Sequence, residues 1–395
     1  MVDRSEGPLT GYTVVDLTRA LAGPHAAMML GDLGARVIKV EHPVTGDDTR
    51  LWGPPFVGPP DDIQSTYFLS TNRNKESITL DLKAENDRQV LTSLVARADV
   101  LIENFRPGTL DRLGFSPLRL EEINPRLVLL SISGFGHDGP EGGRAGYDQI
   151  AQGEAGLMSI TGSSPNDPQR VGVPIADLLA GIYGAYGLLA ALLERERTGH
   201  GQVIRTSLLA AVVGVHAFEG TRWTVAGQVG HAQGNHHPSI APYGLFHAAD
   251  GDVQIAIGSE GLWKKLCELI GLDPEDERWG SNAKRVENRA SLIEAIELAF
   301  SQWSSAALLE ALDAHGIPGG KVRTIQEVYE WEQTRSQGLL IEVDHATLGS
   351  ISLPGPPLRF FDPNGEERTR SKHQPPPNLG QHNAAIHEWL GAVTS

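Results

Sequence analysis

The carboxylate with the most unusual surroundings in this sequence is Asp177, in Val171–Gly181 (VGVPIADLLAG). No opposite charge lies within six residues on either side, and an apolar run follows. Two roles are open to it. At the head of a helix an Asp is stabilised by free N–H groups and the helix dipole, worth about 0.5–2 kcal/mol. At the edge of an apolar, poorly hydrated site the same group can attack an activated acyl carbon. Asp148 and Glu154 are secondary polar candidates. Gly134–Gly139 (GFGHDG) has dinucleotide-loop spacing after a strand-like run, but Pro140, Glu141, Gly142 and Gly143 follow, where a pyrophosphate site needs a helix. These glycines are expected to let a loop approach a ligand or a neighbouring chain. His236 and His237 lack the spacing of a zinc site, which needs three or four converging ligands, so no metal is expected. Cys267 lies in an amphipathic run and reads as a small core residue. Neither a G-x-S-x-G elbow nor a Walker A loop is present.

Positioning such groups calls for a scaffold, and the first 135 residues supply an alternating one. Tyr12–Leu17, Val37–Val40, Ser77–Leu82, Asp99–Ile102 and Leu127–Ser133 read as strands, with helices at His25–Leu33, Glu85–Arg97 and Leu118–Ile123. Strands apolar on both faces and separated by helices imply a covered parallel sheet, so the fold class is α/β and Rossmann-like. Two apolar helices follow, Ala176–Glu194 and Leu208–Ala217, joined by a connection at Arg195–Thr206. After a Gly/His/Gln-rich stretch, Gly244–His247 and Val253–Ile257 pair as a hairpin, with amphipathic helices at Leu262–Ile270, Arg289–Gln302 and Ser305–His315. The expected organisation is a large domain over residues 1–224, a smaller α+β domain over 225–325, and a return segment over 326–395 that completes the large one.

The chain of 395 residues carries 33 Lys+Arg against 49 Asp+Glu, a net charge of −16. That balance argues against nucleic acid or an anionic membrane as the main partner. A single cysteine excludes a disulfide framework. The most apolar stretch, Leu178–Leu193, has 16 residues and three glycines, short of the roughly 20 of a membrane span. The start shows no basic region followed by an apolar one, so a cytoplasmic protein is expected.

Several segments, in order along nearly the whole chain, carry a resemblance. They are Val15–Pro24 (VDLTRALAGP), Leu33–Glu41 (LGARVIKVE), Gly46-Asp47, Asn72–Lys83 (NRNKESITLDLK) and Glu103–Gly108 (ENFRPG). Further on come Leu113-Gly114, Gly146–Gln152 (GYDQIAQ), Asp177, Arg197–Gln202 (RTGHGQ), His237–Tyr243 (HPSIAPY) and Leu379–His382 (LGQH). Together they resemble the class III coenzyme A transferases, the superfamily of formyl-CoA transferase, carnitine CoA-transferase and alpha-methylacyl-CoA racemase.

The resemblance implies an enzyme that moves coenzyme A between an acyl-CoA and a small free carboxylic acid, with no tightly bound cofactor. Asp177 falls at the nucleophile, which passes through a mixed anhydride and an aspartyl-CoA thioester. Backbone N–H groups in glycine loops can stabilise each oxyanion, and Gly134–Gly143 and Gly227–Gly234 are candidates. Ala20 and Leu21 match the pantetheine path, and Asn104, Phe105 and Arg112 the adenosine-phosphate region, with Arg106 and Lys75 adding charge. His42 stands where formyl-CoA transferase has a phosphate-binding arginine, which turns phosphate recognition toward Arg50 or Arg73. Leu21 replaces a glutamine near the small acid of formyl-CoA transferase, which argues against oxalate. Tyr147 stands at the histidine of the racemases; a tyrosine near its usual pKa of about 10 is a poor base at neutral pH. It is expected to pack on the pantetheine arm or to donate a hydrogen bond. The family also implies a homodimer of two interlocked chains. An acyl-CoA racemase and a CoA-binding protein without turnover are the alternatives.

Overall fold

The computed structural model describes residues 7–391. Its large unit is built on β1 (Thr13–Asp16), α1 (Ala22–Asp32), β2 (Arg36–Glu41), α2 (Thr66–Thr71), β3 (Lys75–Thr79), α3 (Glu85–Val95) and β4 (Val100–Glu103). It continues through α4 (Pro117–Ile123), β5 (Val128–Ser133), α5 (Asp148–Glu154), α6 (Ile175–Thr198), β6 (Val203–Ser207), α7 (Leu208–Val213) and α8 (Ala217–Thr224). All neighbours in the six-stranded sheet run parallel, in the order β3-β2-β1-β4-β5-β6. This is the doubly wound order, whose direction of winding reverses between β1 and β4; ligands of such sheets bind outside the strand ends at that reversal.

Side-chain alternation assigns the two faces. Val14, Ile102, Val128 and Leu130 join α1 and α6 in one core. Val15, Leu101 and Leu129 face the other, with Leu91, Leu94 and Leu120 from α3 and α4. The sixth strand is a departure from the sequence reading, which made Arg195–Thr206 a plain connection. Val203–Ser207 alternates exposed and partly buried residues at the sheet edge, so it lacks the continuous apolar run that marks the inner strands.

α6 is 24 residues long, extending past the expected apolar stretch at both ends, and by length and composition it could cross a bilayer. In the fold one face packs on α1 and the sheet. Glycine makes this approach possible: a Cβ on Gly181 would stand 2.7 Å from the carbonyl oxygen of Ala22, and one on Gly184 would stand 2.8 Å from Leu130. At its far end Arg195 is buried and donates to Asp99 at 2.9 Å and to the Arg126 carbonyl at 3.1 Å.

The chain divides into two compact units. One comprises the residues up to Leu157, Val171–Gly227 and the chain from Glu332 on; the other comprises Met158–Arg170 and Gln228–Trp331. Met158–Arg170 therefore groups with the second unit and not with the sheet that precedes it. That unit pairs β7 (Tyr243–His247) with β8 (Asp252–Ala256), followed by α9 (Glu260–Ile270), α10 (Arg289–Phe300), α11 (Ser305–Ala314) and β9 (Gly319–Lys321). Its core holds Trp263, Leu266, Ile296, Phe300 and Leu308, with Cys267 among them, where burial pushes the thiol up to about 12. After Glu332 the chain forms the hairpin β10 (Leu340–His345) and β11 (Gly349–Pro354), then α12 (Asn383–Gly391). Asn383 bonds the N–H of Thr79 at 2.9 Å, His382 bonds that of Ser77 at 3.0 Å, and Ile386 enters the sheet core.

Candidate active site

Asp177 occupies the first turn of α6 but does not cap it. The N-cap is Pro174, which offers no side-chain bond. Asp148, at the start of α5, does the capping: its Oδ1 accepts the N–H of Ala176 at 2.8 Å and that of Asp177 at 3.4 Å. Its Oδ2 accepts from Gln152 Nε2 at 2.7 Å, and Gln152 Oε1 accepts the Val171 N–H at 2.9 Å. The two readings of Asp177 are thereby separated, because a neighbouring carboxylate fills the cap. No group among the described residues hydrogen-bonds the carboxyl of Asp177. Burial, and then the charge of Asp148, push it up to about 7. The positive pole of α6 lies beside it and keeps the ionised form within reach at neutral pH.

Aromatic rings stand nearby. Tyr67 of α2 has its hydroxyl pushed up by burial and then by the charges of Asp177 and Asp148, and it meets Trp52 edge-on at 5.1 Å between centroids. Neither ring was singled out in the sequence, where they look like ordinary aromatics of a surface segment. On the same helix face as Asp177, one turn further, Gly181 admits Ala22 and the His25 ring. Burial, then Arg73 and Lys75, lower His25 to about 4, so it is neutral at physiological pH.

The structure distributes the expected coenzyme residues unevenly. Ala20 and Leu21 form the turn between β1 and α1; Ala20 takes the left-handed conformation at φ 63°, and Leu21 is buried. Across the reversal point, Asn104 and Phe105 follow β4. Asn104 is bonded to the backbone of Arg19, and Phe105 is packed on the sheet core. Arg106 and Arg112 are exposed on the same connection, with no carboxylate partner among the described residues; Arg112 donates to Thr109 at 2.8 Å. His42 is partly buried, and its Nδ1 accepts the Val44 N–H at 3.2 Å. Tyr147 is 69% exposed just before α5.

Two cations require correction. Arg73 is 4% exposed and grips Asp32 with two nitrogens, at 2.8 and 2.6 Å. Lys75 is 1% exposed and bonds Asp16, the Pro24 carbonyl and Asn72 within 3.0 Å. Both are internal struts with no face open to a phosphate. Arg50 is likewise held by Glu41 at 2.7 Å and lies over the Phe68 ring. Their carboxylate partners lie far off in sequence or on another strand, so local pattern could not reveal the commitment. Of the glycine loops, Gly134 is explained within the chain, since a Cβ there would stand 2.7 Å from the Gly146 nitrogen. Gly227–Gly234 leads into the second unit, where Arg289 ties Gln233 at 2.6 Å and the His237 carbonyl at 2.8 Å. No three His, Cys, Asp or Glu residues converge as metal ligands among the described residues.

Against known proteins, the chain matches CoA-transferase family III over residues 9–383. It is 39% identical over 381 residues to a mouse protein named succinyl-CoA:glutarate CoA-transferase, covering 96% of this chain and 85% of that one. It is 39% identical over 396 residues to the acetyl-CoA:oxalate CoA-transferase of Acetobacter aceti, covering 98% and 97%. A CAIB/BAIF family protein from Brucella suis superposes with a TM-score of 0.85 at 40% identity, covering 98% of this chain and all of that one. With the doubly wound sheet and the family segments in order along it, these matches place the chain in CoA-transferase family III, and it is a class III CoA-transferase.

Proposed function

We propose that the enzyme exchanges coenzyme A between succinyl-CoA and a short dicarboxylic acid such as glutarate, through covalent intermediates on Asp177. The observation that carries the mechanism is the division of labour between Asp148, which caps α6, and Asp177, whose carboxyl is left unbonded and raised to about 7. A carboxylate of raised basicity in a poorly hydrated turn is a better nucleophile than one in water.

In the first step Asp177 attacks the thioester carbonyl and CoA leaves as thiolate, giving an acyl-aspartyl anhydride. The thiolate attacks the aspartyl carbonyl and expels the donor acid, leaving an aspartyl-CoA thioester. The acceptor carboxylate attacks that thioester, CoA leaves again, and a second anhydride forms. The thiolate then attacks the acceptor's acyl carbon, which releases the new acyl-CoA and restores the Asp177 carboxylate. Four acyl transfers balance with no net proton, so the chain needs no strong acid or base. The exposed Tyr147, where the racemases have a histidine, and the cap-bound Asp148 do not favour proton abstraction at an α-carbon, the chemistry of a racemase.

The choice of acid follows the relatives named for glutarate and succinyl-CoA. Leu21, buried at the head of α1, offers no polar group to a compact diacid, and glutarate is preferred to oxalate on this ground. We also take the enzyme to be a homodimer: Tyr186 and Leu193, two turns apart on the outer face of α6, are 71% and 72% exposed, and Trp223 of α8 is exposed as well, apolar side chains of the kind an association surface would cover.

The test incubates the enzyme with succinyl-CoA and a panel of acids that includes glutarate and oxalate. Intact mass and hydroxylamine trapping then read the adduct. Glutaryl-CoA formation, with a trapped adduct missing from Asp177→Ala, supports the mechanism; exchange that survives in Asp177→Ala defeats it.

A further inference from the structure

With Asp177 taken as the reacting carboxylate, we propose that Asn104 is a positioning residue of the reaction. It holds the Arg19–Ala20 turn in the shape that seats the start of α1 beside Asp177. One amide does this by binding both backbone groups of a single residue: Asn104 Oδ1 accepts the Arg19 N–H at 2.9 Å, and Nδ2 donates to the Arg19 carbonyl at 2.7 Å. The two residues stand on the loops after β4 and β1, so the clamp spans the reversal point of the sheet.

The turn needs holding. Ala20 sits at φ 63°, a conformation that residues with a Cβ disfavour and that persists only where neighbours over-determine it. Consecutive residues are pinned from separate elements. Thr18 bonds Asp16 through its N–H at 2.9 Å, and its carbonyl receives Lys39 Nζ at 2.9 Å. Arg19 is held by Asn104, and the Ala20 N–H points to Asp47 Oδ1 at 3.2 Å.

Asn104 is itself braced. On one side Glu103 is buried, bonds Ser131, and accepts the Phe105 N–H at 2.8 Å, with Ser131 in turn 2.7 Å from His137 Nε2. Glu103, Ser131 and Arg205 fall in one row across β4, β5 and β6, on the sheet face opposite α1 and α6. This row therefore anchors the loop from behind.

The link to the chemistry is steric. Two residues after Ala20 comes Ala22, whose carbonyl lies in the space left by the missing Cβ of Gly181. Gly181 is one helical turn from Asp177 on the same face. A turn that relaxed from the left-handed state would move Ala22 against that face. The amide oxygen and one amide hydrogen of Asn104 are already used on Arg19, which favours positioning over direct contact with a coenzyme phosphate.

A double-mutant cycle tests this with succinyl-CoA and glutarate, using wild type, Asn104→Ala, Ala20→Gly and the double variant. Asn104→Ala is expected to lower kcat about 100-fold with little change in the KM for succinyl-CoA. Glycine takes positive φ freely, so Ala20→Gly should recover about tenfold of that loss, measured against Ala20→Gly alone. A rise in KM with kcat retained, or a cycle in which the two losses simply multiply, would overturn the proposal in favour of direct coenzyme contact. Should Asn104→Ala not fold, Asn104→Asp keeps the acceptor for the Arg19 N–H and loses the donor. An intermediate kcat then supports positioning, and a wild-type kcat refutes it. Wild-type enzyme that exchanges no acid would overturn the transferase reading together with this one, whereas Asp177-dependent exchange with a multiplicative cycle removes the positioning role alone.

Discussion

Two charged regions of the large unit, one fully buried and one half-buried, are built on opposite rules. Along β1, β2 and β3 and the loop after β2, each buried charge faces an opposite one: Lys75 with Asp16 at 3.0 Å, Lys39 with Asp47 at 2.8 Å, and Arg50 with Glu41 at 2.7 Å. Burial pushes the Asp16 carboxyl up, but Lys75 and Lys39 more than reverse it. Lys75 is lowered by burial to about 8, which still leaves it charged at neutral pH. At the first turn of α6 two carboxylates meet with no cation bonded to either among the described residues. The first region is satisfied and therefore rigid. The second keeps one group unsatisfied, which destabilises the fold and makes that group reactive. Burial alone thus does not identify a reactive charge; a buried charge that lacks a partner does.

The contrast can be broken in graded steps. Removing the unsatisfied group should have the largest effect on turnover: Asp177→Ala is expected to lower kcat by roughly 10³-fold or more in the succinyl-CoA exchange assay, with the fold intact by circular dichroism. Breaking a satisfied pair should instead act on stability. Lys75→Met strips the buried Asp16 of its bonded cation and leaves only the more distant charge of Lys39, at a cost of about 3 kcal/mol in urea unfolding, and Lys75→Met with Asp16→Asn should cost less than Lys75→Met alone.

The next effect has the opposite sign. The Asp177 carboxyl rises from the usual 3.8 to about 7, so between those values the native state keeps a proton that the unfolded chain has lost. The stability tied to the neutral form is complete below about pH 4 and disappears as the pH rises through 7. Asp177→Asn stays neutral throughout. It should therefore match wild type near pH 4 and exceed it at pH 8 by about 1–3 kcal/mol, the partial exposure of the site discounting the full shift. Equal stabilities at pH 8 would show that the carboxylate is well solvated. The smallest change comes from Asp148→Asn, which retains an acceptor for the Ala176 N–H and deletes the neighbouring charge. The acid limb of the kcat/KM profile, near pH 7 in the wild type, should move to lower pH while the thermal midpoint hardly changes.

The inner strands and Asp177 were legible in the sequence for different reasons. β1, β2, β4 and β5 announce themselves as short apolar runs between helices, because both of their faces are covered. β6 does not, since an edge strand needs no such run. Asp177 stood out by its apolar, charge-poor neighbourhood, yet its role was ambiguous until Asp148 was found in the capping position. The buried cations failed for a physical reason: whether Arg73 or Lys75 faces a ligand or a carboxylate depends on Asp32 and Asp16, which only the sheet brings near. Tyr67 and Trp52 carry no spacing signal at all, because their segment comes near Asp177 by tertiary approach and not by local period.

The last described helix, α12, closes the sheet core with Ile386 and ties β3 through His382 and Asn383, although in sequence the whole second unit separates it from the other residues of that core. During synthesis the ribosome must therefore finish the second unit before the first can complete its interior. Until α12 emerges, the outer side of β3 stays open to water, and the six-stranded sheet without that cover is the species most exposed to chaperones and to self-association.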